Sequence, residues 1–483
     1  MSDNLKAKTV RGLKWTTVES AAQQVFQVVL GITMARLLNV EDFGTIAVLS
    51  IFIALANIFQ ESGFGVALYR ENDVSDKTYS SVLYFNVFVS ACLYVILYFS
   101  VHLISDFQKE PIPIDLARFM FLTFFVSSFG LVPYVMLTKK VDYRSVAYAN
   151  IIALSISGIV SILMAFYGFG VWAICTQGVL YHSIRIAGLW YFCAWKPLWY
   201  FSFAPLKKML AFSSKIMVTY SLNTIANNIT PNLIEKHFGL VDAGLYSQAS
   251  KWYNKPVLFV TSPIGAVSMP VISSVNNDLE RQKRVFRKLI KTVAFISFPS
   301  SFFFALVANE FVLLILKEKW LEVVPYMQLL SLGAIFAPLE LMLIYLLNSR
   351  GKSGALFVFT LLKNICIMLS LFFSIKYGII TLIISLGLVN YIFFTVESIF
   401  CIRLLACRVS EYSKDILPYF FTSLFLGLVF HHFTLPISNQ YMLLVVKFTL
   451  PFSLYLSAMY LGKSEVLNEG VGFLLRFARR KIK

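Results

Sequence analysis

The chain has 483 residues, of which 58% are hydrophobic and 14% are charged, and its mean hydropathy is +0.73. A soluble domain is only about 45–50% apolar, so the composition excludes an ordinary soluble fold and indicates a polytopic, all-α membrane protein. The net charge of +17 is better explained by basic cytoplasmic loops than by nucleic-acid binding, because membrane proteins concentrate Lys and Arg on the cytoplasmic side.

Apolar runs long enough to cross a bilayer recur along the whole chain. A helix needs about 20 such residues to span the hydrocarbon core. If the N-terminus is cytoplasmic, the basic residues of inner loops outnumber those of outer loops by about five to one, which predicts that both termini are cytoplasmic. About fourteen spans are predicted, at residues 17–38, 43–66, 79–104, 116–138, 146–167, 170–193, 209–231, 245–271, 292–316, 325–347, 354–375, 378–401, 416–434 and 441–462.

One segment occurs twice, 200 residues apart. The sequence at 36–44 is RLLNVEDFG, and the sequence at 236–244 is KHFGLVDAG. The pairs Asp42 with Gly44 and Asp242 with Gly244 are interpreted as turn elements after spans one and seven, in which Asp accepts backbone hydrogen bonds and Gly supplies a permissive φ.

The duplication predicts two pseudo-symmetric lobes around a central cleft. Each half holds six spans, and an even number makes the repeat parallel, with its axis along the membrane normal. The predicted parts are an N-terminal lobe at 1–195, a C-terminal lobe at 205–405, two additional transmembrane helices at 410–463, and a basic amphipathic cytoplasmic tail at 464–483.

Polar residues are concentrated in the first two spans of each predicted lobe. Such residues are costly in a bilayer and normally face a cavity or a partner helix. We therefore predict a hydrophilic cleft, although amides that bond neighbouring helices are an open alternative. The candidate substrate-binding residues are Gln23, Gln27, Asn57, Arg185, Lys215, Asn223, Asn227, Gln248, Lys251 and Lys255.

Lys251 and Lys255 lie one helical turn apart in span eight. Two ammonium groups at this spacing need an anion or water, and a pyrophosphate or an acidic sugar would supply the anion. Alternatively, the lysines pair with Glu19 or Glu61, or extend to the membrane surface.

The acidic residues of the spans are candidates for coupling transport to H⁺ or Na⁺. By contrast, the sequence has no Walker-type loop, no HExxH and no GxSxG, and its six cysteines show no CxxC spacing. We therefore expect no catalytic residues, no metal site, no cofactor and no enzymatic activity. The ion-coupling candidates are Glu19, Glu61, Glu340 and Glu397.

Several of these segments resemble the polysaccharide transporter family, the Wzx-type O-antigen and exopolysaccharide flippases of the multidrug/oligosaccharidyl-lipid/polysaccharide superfamily. The first-half resemblance lies in RLLNVEDFG and in GFGVAL at 63–68. The second-half resemblance lies in GLYS at 244–247, Lys255-Pro256 and PVIS at 270–273.

The resemblance implies a V-shaped cleft between two six-helix lobes, with two extra helices. It implies that an undecaprenyl-pyrophosphate-linked oligosaccharide is moved from the cytoplasmic to the periplasmic leaflet of a bacterial inner membrane by alternating access. The expected partners are this lipid-linked oligosaccharide, membrane lipids, and a polysaccharide polymerase with export machinery, and no nucleic acid. The family's cleft is lined by basic residues, for which Lys215, Lys251 and Lys255 are the positions available here.

Other functions fit parts of the sequence. A multidrug or cation antiporter of the same superfamily would need an acidic or aromatic site, and the predicted cleft holds acids as well as lysines. A membrane glycosyltransferase or acyltransferase would need acidic or histidine sites on long extracytoplasmic loops, whereas the outer loops here are short. A structural scaffold would not explain the polar faces.

Overall fold

The computed structural model describes residues 2–60, 65, 68–69, 71, 74–432 and 439–469, without the side chains of 2–14, of 56–60 and of some positions between 208 and 267. All regular elements in these ranges are helical. The longer helices of the first half are α1 (Ser2–Leu37), α2 (Val40–Gln60), α3 (Asp76–Phe107), α4 (Ile114–Ser127), α5 (Leu131–Lys139), α6 (Tyr143–Phe166), α7 (Trp172–Cys193) and α8 (Phe203–Phe238). They are followed by α9 (Leu240–Ser274), α10 (Leu279–Leu306), α11 (Ala308–Phe311), α12 (Val323–Gly333), α13 (Ala337–Ser349), α14 (Ser353–Ser374), α15 (Ile379–Leu404), α16 (Val409–His432) and α17 (Gln440–Leu461).

The predicted all-α membrane fold is confirmed. Within the described ranges, nine helical segments are long and apolar enough to cross a bilayer. The total of fourteen spans stays a prediction. The nine segments are Asp76–Phe107, Ile114–Lys139, Tyr143–Phe166, Leu279–Leu306, Val323–Ser349, Ser353–Tyr377, Ile379–Leu404, Val409–His432 and Gln440–Leu461.

The helix at the ninth predicted span, residues 292–316, begins before that span and ends within it. Helix α10 already begins at Leu279, because the Asp278 side chain accepts a hydrogen bond from the Arg281 backbone N–H at 2.9 Å and caps the helix. It ends at Leu306, and a separate short helix, α11, follows. The basic residues after position 280 therefore lie on a helix rather than in a loop.

The chain forms two compact units, residues 1–244 and 245–483. In the first unit, α6 packs against α1 and α7, and α2 packs against α8. In the second, α10 packs against α16, and α15 packs against α12 and α14, around a core rich in aromatic rings. The predicted lobe limits at 195 and 205 stay a prediction.

The repeated glycines lie at a helix crossing, and their interpretation as turn residues was wrong. Gly44 belongs to the first turns of α2, and Gly244 to those of α9. A Cβ atom on Gly44 would lie 2.1 Å from the carbonyl oxygen of Leu240, and one on Gly244 would lie 2.2 Å from that of Val40. Each repeat thus packs its glycine on the other repeat's backbone, which no larger residue permits.

The repeated aspartates stand beside these glycines, in the first turns of the two helices. The Asp42 carboxylate accepts a hydrogen bond from the Asn39 backbone N–H at 2.9 Å, as predicted. Negative charge is favourable at this end of a helix, because the backbone N–H groups there are unpaired and partly positive. Asp242 has the equivalent place in α9.

Ion pairs attach the two C-terminal helices to the rest of the second unit. On α10, the Arg287 Nε atom lies 2.6 Å from a carboxylate oxygen of Asp415, a buried residue of α16. On α17, the Lys447 Nζ atom lies 2.6 Å from Oε1 of Glu310, a buried residue of α11. Buried charges need such partners, so these contacts specify where α16 and α17 dock.

The first residues of the predicted tail also contact α10. Lys291 binds Glu465 at 2.8 Å, and Lys288 binds Glu469 at 2.7 Å. The Lys291 ammonium lowers the pKa of the Glu465 carboxyl. Residues 470–483, which contain all of the tail's basic residues, lie outside the described ranges.

Replacing Lys447 by alanine is expected to destabilise the protein by about 3–5 kcal/mol, because it leaves the buried Glu310 carboxylate unpaired. Thermal unfolding of the purified protein in detergent measures the effect. The exposed Lys376 serves as a matched control, and Lys376→Ala should change little. Adding Glu310→Gln to Lys447→Ala should restore part of the loss, and equal stability of all variants would contradict the docking role of this pair.

Candidate transport site

In the first unit, an asparagine connects two candidate residues of opposite charge. The Asn150 amide donates a hydrogen bond to the Glu19 carboxylate, and its oxygen accepts one from Arg185 Nε at 2.7 Å. The Arg185 guanidinium also lies over the Tyr134 ring, 5.4 Å from the centroid. The three polar residues come from α1, α6 and α7, so they form a charge-balanced contact across three helices.

This contact was only partly predictable. Glu19 and Arg185 were predicted for different roles, ion coupling and substrate binding, and the structure brings them together through Asn150. Asn150 was missed, although an amide within an apolar predicted span was the available signal. The bridge shows Asn150 as a partner of Glu19.

The remaining first-unit candidates form a partly open face. Gln23 is half-buried and Gln27 is exposed, one and two turns beyond Glu19 on α1. The predicted role of these two glutamines in substrate binding stays a prediction. The side chains of Asn57, Glu61, Lys215, Asn223 and Asn227 lie outside the described residues.

On α9, Lys251 is exposed and Lys255 is half-buried. Their one-turn spacing brings two ammonium groups to neighbouring positions of a helix that is predicted to cross the membrane. The side chain of Gln248, one turn after Gly244 on α9, is buried, and its predicted role in substrate binding stays a prediction.

The second unit contains three charged residues inside its helical bundle. Lys363 of α14 donates hydrogen bonds of 2.7 and 2.9 Å to the two carboxylate oxygens of Glu340 on α13. Glu397 of α15 is only 3% exposed and interacts electrostatically with both residues. Its Oε2 atom has no hydrogen-bond partner within the described part of the chain.

We refer to Glu340, Lys363 and Glu397 as the acidic cluster. The cluster contains two acids and one ammonium group, which pairs with Glu340, so its net charge is −1 when both acids are ionised. Burial makes such a charge costly, and a bound proton or metal cation would remove it. Glu340 and Glu397 were predicted, whereas Lys363 was missed. A lysine within the apolar span eleven could have indicated it.

Comparison with known families decides the assignment of the chain. A family model described as "Polysaccharide biosynthesis protein" matches residues 33–325. The chain belongs to this family. The resemblance drawn from the sequence is therefore confirmed at the level of the family.

Two characterised relatives of the family align with most of the chain. The succinoglycan biosynthesis transport protein of Rhizobium meliloti is 24% identical over 76% of this chain and 74% of its own length. The teichuronic acid biosynthesis protein TuaB of Bacillus subtilis is 21% identical over 88% of this chain and 89% of its own length.

This member of the polysaccharide biosynthesis family has the same fold as transporters of known structure. A lipid II flippase in an inward closed conformation matches with a TM-score of 0.72 and 17% identity, over 92% of this chain and 99% of the flippase. An inward-facing multidrug resistance MATE family transporter matches with a TM-score of 0.64 and 15% identity, over 81% of this chain and 96% of the transporter. At this identity the likeness shows a multi-helix transporter fold.

Proposed function

We propose that the protein is a flippase for an undecaprenyl-pyrophosphate-linked oligosaccharide, which it moves from the cytoplasmic to the periplasmic leaflet of a bacterial inner membrane. The observation that carries this proposal is the pair of lysines on α9. Lys251 is exposed, and Lys255 is one turn away on a helix predicted to span the bilayer. Two adjacent ammonium groups suit a pyrophosphate, because its several anionic oxygens accept charge-assisted hydrogen bonds from both.

Family membership and fold support the same substrate class. One relative is named as a succinoglycan transport protein, and one structural neighbour is named as a lipid II flippase. A pyrophosphate head must cross about 30 Å of hydrocarbon. A water-filled, basic cleft would lower that barrier while the lipid tail stays in the bilayer, and alternating access would expose the cleft to each leaflet in turn.

We assign the coupling step to the acidic cluster. Binding of H⁺ or Na⁺ at Glu397 would neutralise the excess carboxylate charge, and release on the other side would restore it. Glu397 suits this role because it is buried, and because one of its carboxylate oxygens has no partner among the described residues. Lys363 donates two hydrogen bonds to Glu340, the other acid of the acidic cluster.

The test of function is reconstitution in liposomes with a labelled lipid-linked oligosaccharide and imposed H⁺ or Na⁺ gradients. The expected result is a gradient-stimulated appearance of the label in the opposite leaflet. No movement of the lipid, from protein that is folded and inserted, would refute the proposed function.

Glu397→Gln is expected to remove the gradient dependence of flipping, because an amide cannot bind and release a proton and binds a cation less well than a carboxylate. The expected effect is a reduction of gradient-driven flipping to the rate without a gradient. Glu318→Gln changes an exposed acid of the same unit and should leave stimulation intact. Full stimulation of the Glu397→Gln variant would contradict the coupling role.

A second candidate function is a multidrug or cation antiporter. The acidic cluster and the match to a multidrug resistance MATE family transporter favour this candidate. The same liposomes distinguish the two: uptake of an organic cation without lipid movement would establish the antiporter. For the flippase, we also propose that both termini are cytoplasmic. A polysaccharide polymerase with its export machinery would be the partner that uses the flipped lipid.

A further inference from the structure

The first unit contains a pocket, and none of its described lining residues is a transport-site candidate. It has a volume of about 320 Å³ and lies between α2, α3 and α8. Its walls are apolar and include Phe52, Leu103 and Phe107. Leu103 is 72% exposed and Phe107 is 53% exposed, on a helix long and apolar enough to cross a membrane. The pocket therefore opens beside an exposed, apolar surface of α3.

One end of this pocket is polar and incompletely bonded. Gln108 Nε2 donates a hydrogen bond to Asn232 Oδ1 at 3.3 Å. The remaining amide atoms, Gln108 Oε1 and Asn232 Nδ2, are buried, and neither has a partner within the described ranges. Asn232 itself is only 4% exposed. An acceptor and a donor left unpaired in this way are costly, so the position calls for a ligand with hydrogen-bonding atoms.

A buried carboxylate continues the polar end one turn further along α8. Glu235 accepts a hydrogen bond from the Glu110 backbone N–H at 3.0 Å through Oε1. Its Oε2 atom has no partner in the described part of the structure. A carboxylate here disfavours a phosphate next to the Gln108 and Asn232 amides, and it favours a neutral group such as an ester at that position.

Two cations lie near the pocket. The Lys236 Nζ atom is 3.3 Å from the centroid of the Phe107 ring, which lines the pocket. Lys109 follows Gln108 directly and donates a hydrogen bond to the Phe238 carbonyl oxygen at 3.2 Å. The pocket thus combines an apolar wall, an amide pair and two nearby ammonium groups.

We propose that this pocket binds an anionic phospholipid, with one acyl chain between α2, α3 and α8. An ester carbonyl of the lipid accepts a hydrogen bond from Asn232 Nδ2, and its phosphate lies beside Lys109 and Lys236. The three features of the pocket match three parts of the lipid: chain, ester and phosphate. A polyprenyl pyrophosphate has no neutral acceptor between its chain and its phosphates, so only a charged oxygen would be available to Asn232 Nδ2, one turn from the Glu235 carboxylate.

This site is independent of the proposed transport function. The bound lipid would fill the space between three helices of the first unit and give the buried Asn232 Nδ2 atom a hydrogen-bond acceptor. We expect it to stabilise the protein whichever substrate the transporter moves.

Native mass spectrometry of the full chain in detergent tests the site, with phosphatidylglycerol and undecaprenyl phosphate as separate probes. One phosphatidylglycerol should bind tightly, and Asn232→Leu should weaken it roughly tenfold, the effect of losing one well-placed hydrogen bond. Asn228→Leu is the matched control: Asn228 lies one turn earlier on α8 and bonds the Thr224 carbonyl oxygen. It should bind as the unchanged protein does.

A second variant tests the site independently, in case Asn232→Leu does not fold. Leu103→Trp enlarges an exposed side chain at the pocket mouth and should reduce phosphatidylglycerol binding by obstructing the chain. Undiminished binding by both folded variants would overturn the proposal. Preferential binding of undecaprenyl phosphate over phosphatidylglycerol would also overturn it and would assign the pocket to the substrate's chain.

Discussion

Gly44→Ala is expected to lower the free energy of unfolding by about 3 kcal/mol, the upper range for forcing extra volume into a packed site. The added Cβ would lie 2.1 Å from the Leu240 carbonyl oxygen, which belongs to the backbone and cannot rotate away. The first turns of α2 and α9 must then separate. Gly244→Ala should have a similar effect, because its Cβ would lie 2.2 Å from the Val40 carbonyl oxygen.

Gly354→Ala is the matched control for these substitutions. Gly354 lies in α14, and a Cβ atom there would have no neighbour within 4 Å. Alanine favours a helix over glycine by up to about 1 kcal/mol, so this variant should be neutral or slightly more stable. Thermal or denaturant unfolding in detergent compares the three variants. Equal stabilities for Gly44→Ala and Gly354→Ala would refute the role assigned to the crossing.

The double substitution Lys251→Ala with Lys255→Ala is expected to reduce flipping roughly 100-fold. Loss of two charge-assisted contacts to a desolvated phosphate group costs several kcal/mol, and each 1.36 kcal/mol corresponds to about a tenfold change in rate. Arginine at both positions keeps the positive charge and should retain part of the activity. The initial rate in liposomes at equal protein content measures the effect, and surface-polysaccharide export measures it in cells.

Two exposed lysines of the same unit provide the control for this prediction. Lys352→Ala with Lys376→Ala removes the same net charge from positions outside the lysine pair on α9. This variant should flip at a normal rate. Normal flipping by the Lys251 and Lys255 double variant, at normal abundance, would exclude these residues from the substrate site.

Much of the candidate site could be predicted from the sequence, because a polar residue within an apolar span is easily recognised. Glu19, Arg185, Glu340 and Glu397 were all found in this way. Their partners were not assigned, since Asn150 and Lys363 lie 131 and 23 positions away from the acids they contact. Hydrophobic periodicity places a residue in a helix, but it does not say which helices are neighbours.

The repeat at 36–44 and 236–244 shows the same limit. The sequence alone determined that the chain is an all-α membrane protein with a duplicated segment, because both properties are local patterns of residue type. Only the tertiary structure decided why glycine recurs: α2 and α9 cross so closely that each glycine faces the other repeat's backbone. A distance between atoms 200 residues apart depends on how whole helices pack, and no local pattern contains it.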